Sequence, residues 1–129
     1  MQDSIFTKII KGEIPSYKLY EDDKTIAFLD IHPTRLGHTL VVPKKQIDQY
    51  IELPDEDYVA MWTTVKKVAR VLRDKLGKER VGIIIKGVDV PHAHVHLIPF
   101  DDGESLKKDE NSPSPTPEEF TELTRRLTL

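Results

Sequence analysis

The sequence predicts an α+β domain: a five-stranded antiparallel sheet with one long helix and a short helix near each end. Two observations carry most of that expectation. Residues Pro54 to Leu76 hold a single apolar stripe at steps of three and four, flanked by short strand-like runs. The connection from Gly87 to His92 is too short for a parallel crossover, so the last two strands should pair antiparallel.

The elements follow in order. Ser4 to Lys11 reads as a short helix, with Ile5, Phe6, Ile9 and Ile10 at helical spacing and Gly12 as its stop. Lys18 to Glu21 and Thr25 to Asp30 read as strands joined by the acidic turn at Glu21-Asp22-Asp23-Lys24. His38 to Val42 is the next strand, closed by Pro43. The long helix has Tyr58, Met61, Trp62, Val65, Val68, Ala69, Leu72 and Leu76 on its stripe. Acids at Asp55 to Asp57 suit a solvated helix start, and Arg70, Arg73 and Lys75 suit its end, before a stop at Gly77. Arg80 to Lys86 and Ala93 to Pro99 are the last strands. Residues 101–116 have no apolar periodicity and read as a loop or linker. Thr116-Pro117-Glu118-Glu119 then opens a helix over 117–129, with Phe120, Leu123 and Leu127 on one face.

The 129 residues suit a single core; 38% are hydrophobic and 32% charged, as in soluble globular domains. A net charge of −3 leaves no nucleic-acid footprint. No run approaches the roughly 18 apolar residues of a membrane span, and no signal peptide is visible, so the cytoplasm is the expected location. There are no cysteines.

The chemistry concentrates in His92-Ala93-His94-Val95-His96-Leu97-Ile98. On a strand, alternate residues share a face, so the three imidazoles are expected to point one way at about 7 Å spacing. Stacked imidazoles on a core strand are costly to keep unless they bind or react. Three readings follow from the residues alone: two zinc ligands on a strand, a nucleophilic imidazole, or histidines satisfied by backbone.

Upstream, Phe28-Leu29-Asp30-Ile31-His32-Pro33-Thr34-Arg35-Leu36-Gly37-His38-Thr39-Leu40-Val41-Val42-Pro43-Lys44 sets an acid before a Pro/Gly turn and a histidine at the start of the next strand. With the histidine run, this order resembles the HIT (histidine triad) superfamily of nucleotidyl hydrolases and transferases, from about Ile5 to Pro99. The N-terminal segment from Ile5 to Pro15 resembles the bacterial hydrolase-type members. The resemblance makes residues 1–100 the HIT domain.

It also implies a function: hydrolysis of a phosphoramidate or phosphoanhydride at the α-phosphate of a nucleoside derivative, through a nucleotidyl-histidine. The middle histidine, His94, is the implied nucleophile. His96 contacts the phosphate, and His92 sits beside the nucleophile in a relay with His38. Asp30 is the ribose contact that the resemblance implies, and this is the favoured reading; from the residues alone it is a turn-starting acid before Pro33. Ile31, with Phe6, Ile10 and Phe28, would line the pocket for a purine base. Alternatives within the resemblance are a dinucleoside polyphosphate hydrolase and a non-catalytic nucleotide-binding protein. Members of this type are homodimers joined by the long helix and an edge strand, so a homodimer is expected, with a nucleotide as substrate and neither nucleic acid nor membrane as partner.

Two departures stand out. Zinc-carrying members have Cys-x-x-Cys near the N-terminus and a histidine after the Pro-Lys strand end; the matching residues here are Ser4, Thr7 and Gln46. Hydroxyls and an amide replace thiolates and imidazole poorly, so no metal and no cofactor are expected. The loop Ile85-Lys86-Gly87-Val88-Asp89-Val90-Pro91 is also shorter than the family's phosphate-holding stretch and carries an acid. The backbone N–H groups of Asp89 and Val90 are the expected substitute phosphate contacts, with Lys86 or Lys44 as a source of positive charge.

Overall fold

A computed structural model describes residues 2–129. Helix α1 spans Ile5–Ile10, and Ser4 caps it by accepting the Thr7 amide. Strands β1 (Lys18–Glu21), β2 (Thr25–Leu29) and β3 (Thr39–Pro43) follow, then a single 3₁₀ turn at Tyr50–Glu52 that the sequence reading did not anticipate. The long helix α2 covers Asp55–Leu76 and ends at Gly77, whose φ of +64° is the left-handed cap that favours glycine. Strands β4 (Arg80–Ile84) and β5 (Val95–Phe100) and helix α3 (Pro117–Leu127) complete the chain. The capping box at Thr116 and Glu119 forms as its sequence predicts.

The strands make one antiparallel sheet in the order β1-β2-β3-β5-β4. Alternation sorts the side chains onto two faces. Ala27, Leu29, Val41, Val95 and Leu97 pack against Met61, Val65, Val68 and Leu72 of α2, and Phe120, Leu123 and Leu127 of α3 close the same core. Ile26, Phe28, Leu40 and Val42 meet Phe6 on the opposite face. All of β2 and β3 is therefore buried.

Three expectations change. The buried stripe of α2 runs through Asp57, Met61, Thr64, Val65, Val68 and Leu72, and Tyr58 is left 38% exposed. Asp57 is buried rather than solvated, with Lys45 Nζ at 3.2 Å. Strand β5 starts at Val95, because Ala93 donates its amide to Ile47 rather than to a strand neighbour. His92 and His94 thus precede the strand, and only His96 lies on it.

Segment 101–116 has no helix or strand, yet it is tied down. Arg35 Nη2 meets Asp109 Oδ2 at 2.7 Å, and Arg35 Nε donates to the Ser105 carbonyl at 3.0 Å. Asp101 accepts from the Glu79 amide at 3.0 Å.

Candidate active site

Register places the site. His96 pairs with Leu40 on β3 and Ile84 on β4, and Leu40 pairs with Phe28 on β2. His96 therefore lies on the Phe6 face, away from α2. The His94 and His96 rings are 5.1 Å apart, edge to face, and the Phe6 ring is 4.9 Å from His94 and 5.8 Å from His92. His92 and His94 flank Phe6, and His96 meets His94 and His38 instead.

The hydrogen bonds assign the protons. The Thr34 amide donates to His38 Nδ1 at 2.9 Å, so that nitrogen is bare and His38 Nε2 carries the hydrogen. His38 Nε2 then donates to His96 Nδ1 at 2.9 Å. That leaves the second His96 nitrogen, Nε2, as a donor. His94 Nδ1 lies 2.7 Å from the His92 carbonyl, which only accepts, so Nδ1 carries the hydrogen and Nε2 keeps a free lone pair. An open imidazole lone pair and an N–H donor thus sit on neighbouring rings.

Burial favours the neutral form of His96, His92 and His38. Desolvation lowers the pKa of His96 to about 4, with His38 and His94 adding to the effect. Burial lowers His92 as well; it also lowers His38, against the opposing pull of Asp30. A neutral imidazole is the nucleophilic form.

The expected relay between His92 and His38 is not what the fold builds. His38 bonds His96, while His92 turns its Nε2 to the Pro43 carbonyl at 2.7 Å and its Nδ1 to Ser4 Oγ at 2.7 Å. The cause is the late start of β5, which frees His92 from the strand's alternation. The contribution of Thr34 was not legible in the sequence, because its amide, not its side chain, does the work.

Asp30 takes the turn role and also approaches His38. Its Oδ1 accepts the His32 amide at 2.8 Å, the turn role, while Oδ2 is 3.6 Å from His38 Nε2. Phe6 and Phe28 are buried with rings 5.7 Å apart, and Ile9, Ile10 and Val90 pack on them. Ile31 lies outside that cluster, 59% exposed, and shares a hollow with Pro15, Ser16 and Tyr17. Asp89 is exposed, and the amides of Asp89 and Val90 make no hydrogen bond among the described residues. Lys44 pairs with Glu21 at 2.9 Å. Lys86 is exposed.

Two groups bear on metal. Among the described residues, Asp30, His38 and His96 bring one ligand atom each within 4.8 Å of one another. Two of those atoms, His38 Nε2 and His96 Nδ1, already share a proton, which makes this a relay. The positions matching the family's zinc ligands, Ser4, Thr7 and Gln46, do converge, beside His92, but all four are linked by hydrogen bonds. A single imidazole nitrogen with two hydroxyls and an amide does not fit zinc.

Comparison with known proteins decides the family. The HIT domain model matches residues 11–103. The chain belongs to the HIT family. An uncharacterized HIT-like protein, MJ0866, from Methanocaldococcus jannaschii is 46% identical over 80% of this chain and 84% of its own length. Adenosine 5'-monophosphoramidase hnt1 of Schizosaccharomyces pombe is 41% identical over 74% of this chain and 72% of its own. The crystal structure of a HIT-like protein from Bartonella henselae superposes with a TM-score of 0.84 at 32% identity, covering 97% of this chain and 93% of that one. The α+β architecture with its five-stranded antiparallel sheet is thus the HIT fold. Among the described residues, no helix is long and apolar enough to cross a membrane.

Proposed function

We propose that the protein hydrolyses nucleoside 5'-phosphoramidates, or closely related mononucleotide derivatives, at the α-phosphorus. The observation that carries this reading is the proton assignment at His94. With Nδ1 donating to the His92 carbonyl at 2.7 Å, Nε2 is held as a nucleophile whose tautomer cannot drift. His94 Nε2 attacks the α-phosphorus, and the bond from phosphorus to the leaving nitrogen or oxygen breaks. The leaving group takes up a proton. Water then attacks the nucleotidyl-histidine, releases a proton, and returns the nucleoside monophosphate and the free imidazole.

The other roles follow from position. His96 Nε2–H donates to a non-bridging phosphoryl oxygen, oriented by His38. His92 supplies the carbonyl that fixes the nucleophile. Asp30 Oδ2 accepts from the ribose hydroxyls while Oδ1 holds its turn. Phe6 and Phe28 floor a purine site that Ile31 edges, and the free amides of Asp89 and Val90 face the phosphate. The fission-yeast relative, named as a monophosphoramidase, supports this substrate class.

The working unit is a homodimer in this reading. Strand β4 is an open sheet edge, and a groove between it and α2 is lined by Trp62, Ala69, Val81, Ile83 and Phe100. Ile83 is 45% exposed, and the Trp62 Nε1 has no hydrogen-bond partner. A second copy would cover that edge and those side chains.

The test is side-by-side turnover of adenosine phosphoramidate and diadenosine tetraphosphate. Faster hydrolysis of the phosphoramidate is expected. Preference for the dinucleotide would reassign the leaving group, and turnover of neither would leave a binding protein.

A further inference from the structure

The first histidine of the run is fully buried, yet each of its ring nitrogens has a partner. His92 Nε2–H donates to the Pro43 carbonyl at 2.7 Å, so Nδ1 is bare and takes the Ser4 hydroxyl hydrogen, also at 2.7 Å. Ser4 Oγ in turn accepts the Thr7 amide at 3.0 Å. The Thr7 hydroxyl donates to Gln46 Oε1 at 2.6 Å, and the Ser4 amide donates to the same oxygen at 2.7 Å. Gln46 Nε2 finishes the chain on the Gln2 carbonyl at 2.8 Å. The protons can be placed in one consistent way, and the one imidazole lone pair of the cluster, on His92 Nδ1, is taken by the Ser4 hydroxyl.

These are the positions where zinc-carrying relatives are expected to hold their metal. The donor set here does not fit zinc, and hydrogen bonds occupy it. We infer that Ser4 is a positioning residue: with Thr7 and Gln46 it forms a metal-free clasp that holds His92 in one tautomer and orientation, and through the His92 carbonyl it aims His94. The inference rests on the reading of His94 as the nucleophile.

The mechanical path is short. The His92 ring ties the N-cap of α1 to the end of β3. The His92 and Ala93 amides donate to the Val90 and Ile47 carbonyls at 2.8 and 2.7 Å, which fixes the intervening peptide. The carbonyl of that peptide accepts His94 Nδ1–H. Removing the Ser4 hydroxyl leaves a fully buried Nδ1 with only the Thr7 hydroxyl nearby, 3.4 Å away and committed to Gln46, and strips α1 of its cap. The His92 ring then has reason to turn or to change tautomer, and the His94 contact moves with it.

The experiment compares wild type with Ser4→Ala, Ser4→Thr and Thr7→Val. Long-range proton–nitrogen NMR of the imidazoles reads tautomers without any turnover. Wild type should show His92 as the Nε2–H form and His94 as the Nδ1–H form. Ser4→Ala should mix the His94 tautomers and lower kcat on adenosine phosphoramidate by about tenfold, with KM within about twofold. Ser4→Thr keeps a hydroxyl and should restore both readouts. Thr7→Val keeps the capping amide and should give a weaker version of the same change, which covers the case in which Ser4→Ala fails to fold. After incubation with zinc and dialysis, wild type should retain under about a tenth of an equivalent. An unchanged kcat with a single His94 tautomer in the folded variants would overturn the inference, as would one tightly held zinc per wild-type chain. If wild type turns over neither substrate while the tautomers still mix in Ser4→Ala, the functional reading falls and the clasp stands.

Discussion

Acidification from pH 7 to pH 5 should destabilise this protein through its buried neutral histidines. His96 loses its proton at about 4 in the folded chain, because burial and the neighbouring His38 and His94 oppose a charge there. In the unfolded chain it titrates at an ordinary value of about 6.5. Between those values the unfolded state binds more protons, so stability must fall as pH falls through that window. Integrating between pH 7 and pH 5 gives about 2 kcal/mol for His96, which its partial solvent access reduces to ~1 kcal/mol. His38 and His92 are shifted in the same direction by burial and add to the loss. Carboxylates contribute little in this range, since Glu21 and Asp22 are held below their ordinary values by their hydrogen bonds. Urea unfolding at fixed protein concentration, followed by fluorescence of the single tryptophan, measures the effect. The expected loss is about 1–3 kcal/mol, or a fall in Tm of about 4–10 °C for a chain of this size. A His96→Gln variant should lose roughly half of the pH slope. Stability that is flat or higher at pH 5, or an unaltered slope in the variant, would refute the argument.

His94→Ala should abolish turnover and leave nucleotide binding largely intact; a residual rate above about a tenth of wild type, by direct assay, would remove His94 as nucleophile. Gly37→Ala should lower stability by about 2–4 kcal/mol in calorimetry, because a left-handed φ would have to hold a methyl group and that methyl would strike a packed side chain. The φ is +88°, and the added carbon would collide with Leu76 Cδ1 and lie 3.3 Å from Pro99 Cγ, one residue from His38. Sedimentation at micromolar concentration should show a dimer, and a lone 14.8 kDa species would exclude it.

Local chemistry was enough to read most of the architecture. The apolar stripe and charge asymmetry of α2, the capping box at Thr116 and the turn residues between strands act over a few residues, so sequence spacing reveals them. The histidine run and the acid before the Pro/Gly turn also located the candidate site. Tertiary structure decided how those histidines divide their work. Alternation along a strand would have set all three imidazoles alike, but the Ala93 amide is taken by Ile47, so β5 begins at Val95 and His92 turns toward Ser4. The same holds for Thr34, whose amide reaches His38 across a turn, and for Asp57, which is buried where its neighbours are exposed. Which lone pair meets which hydrogen is settled by atoms from separate segments arriving within 3 Å, as when His38 Nε2 meets His96 Nδ1 at 2.9 Å across 58 residues of chain. No spacing rule reads contacts of that kind, because they depend on how the strands pack.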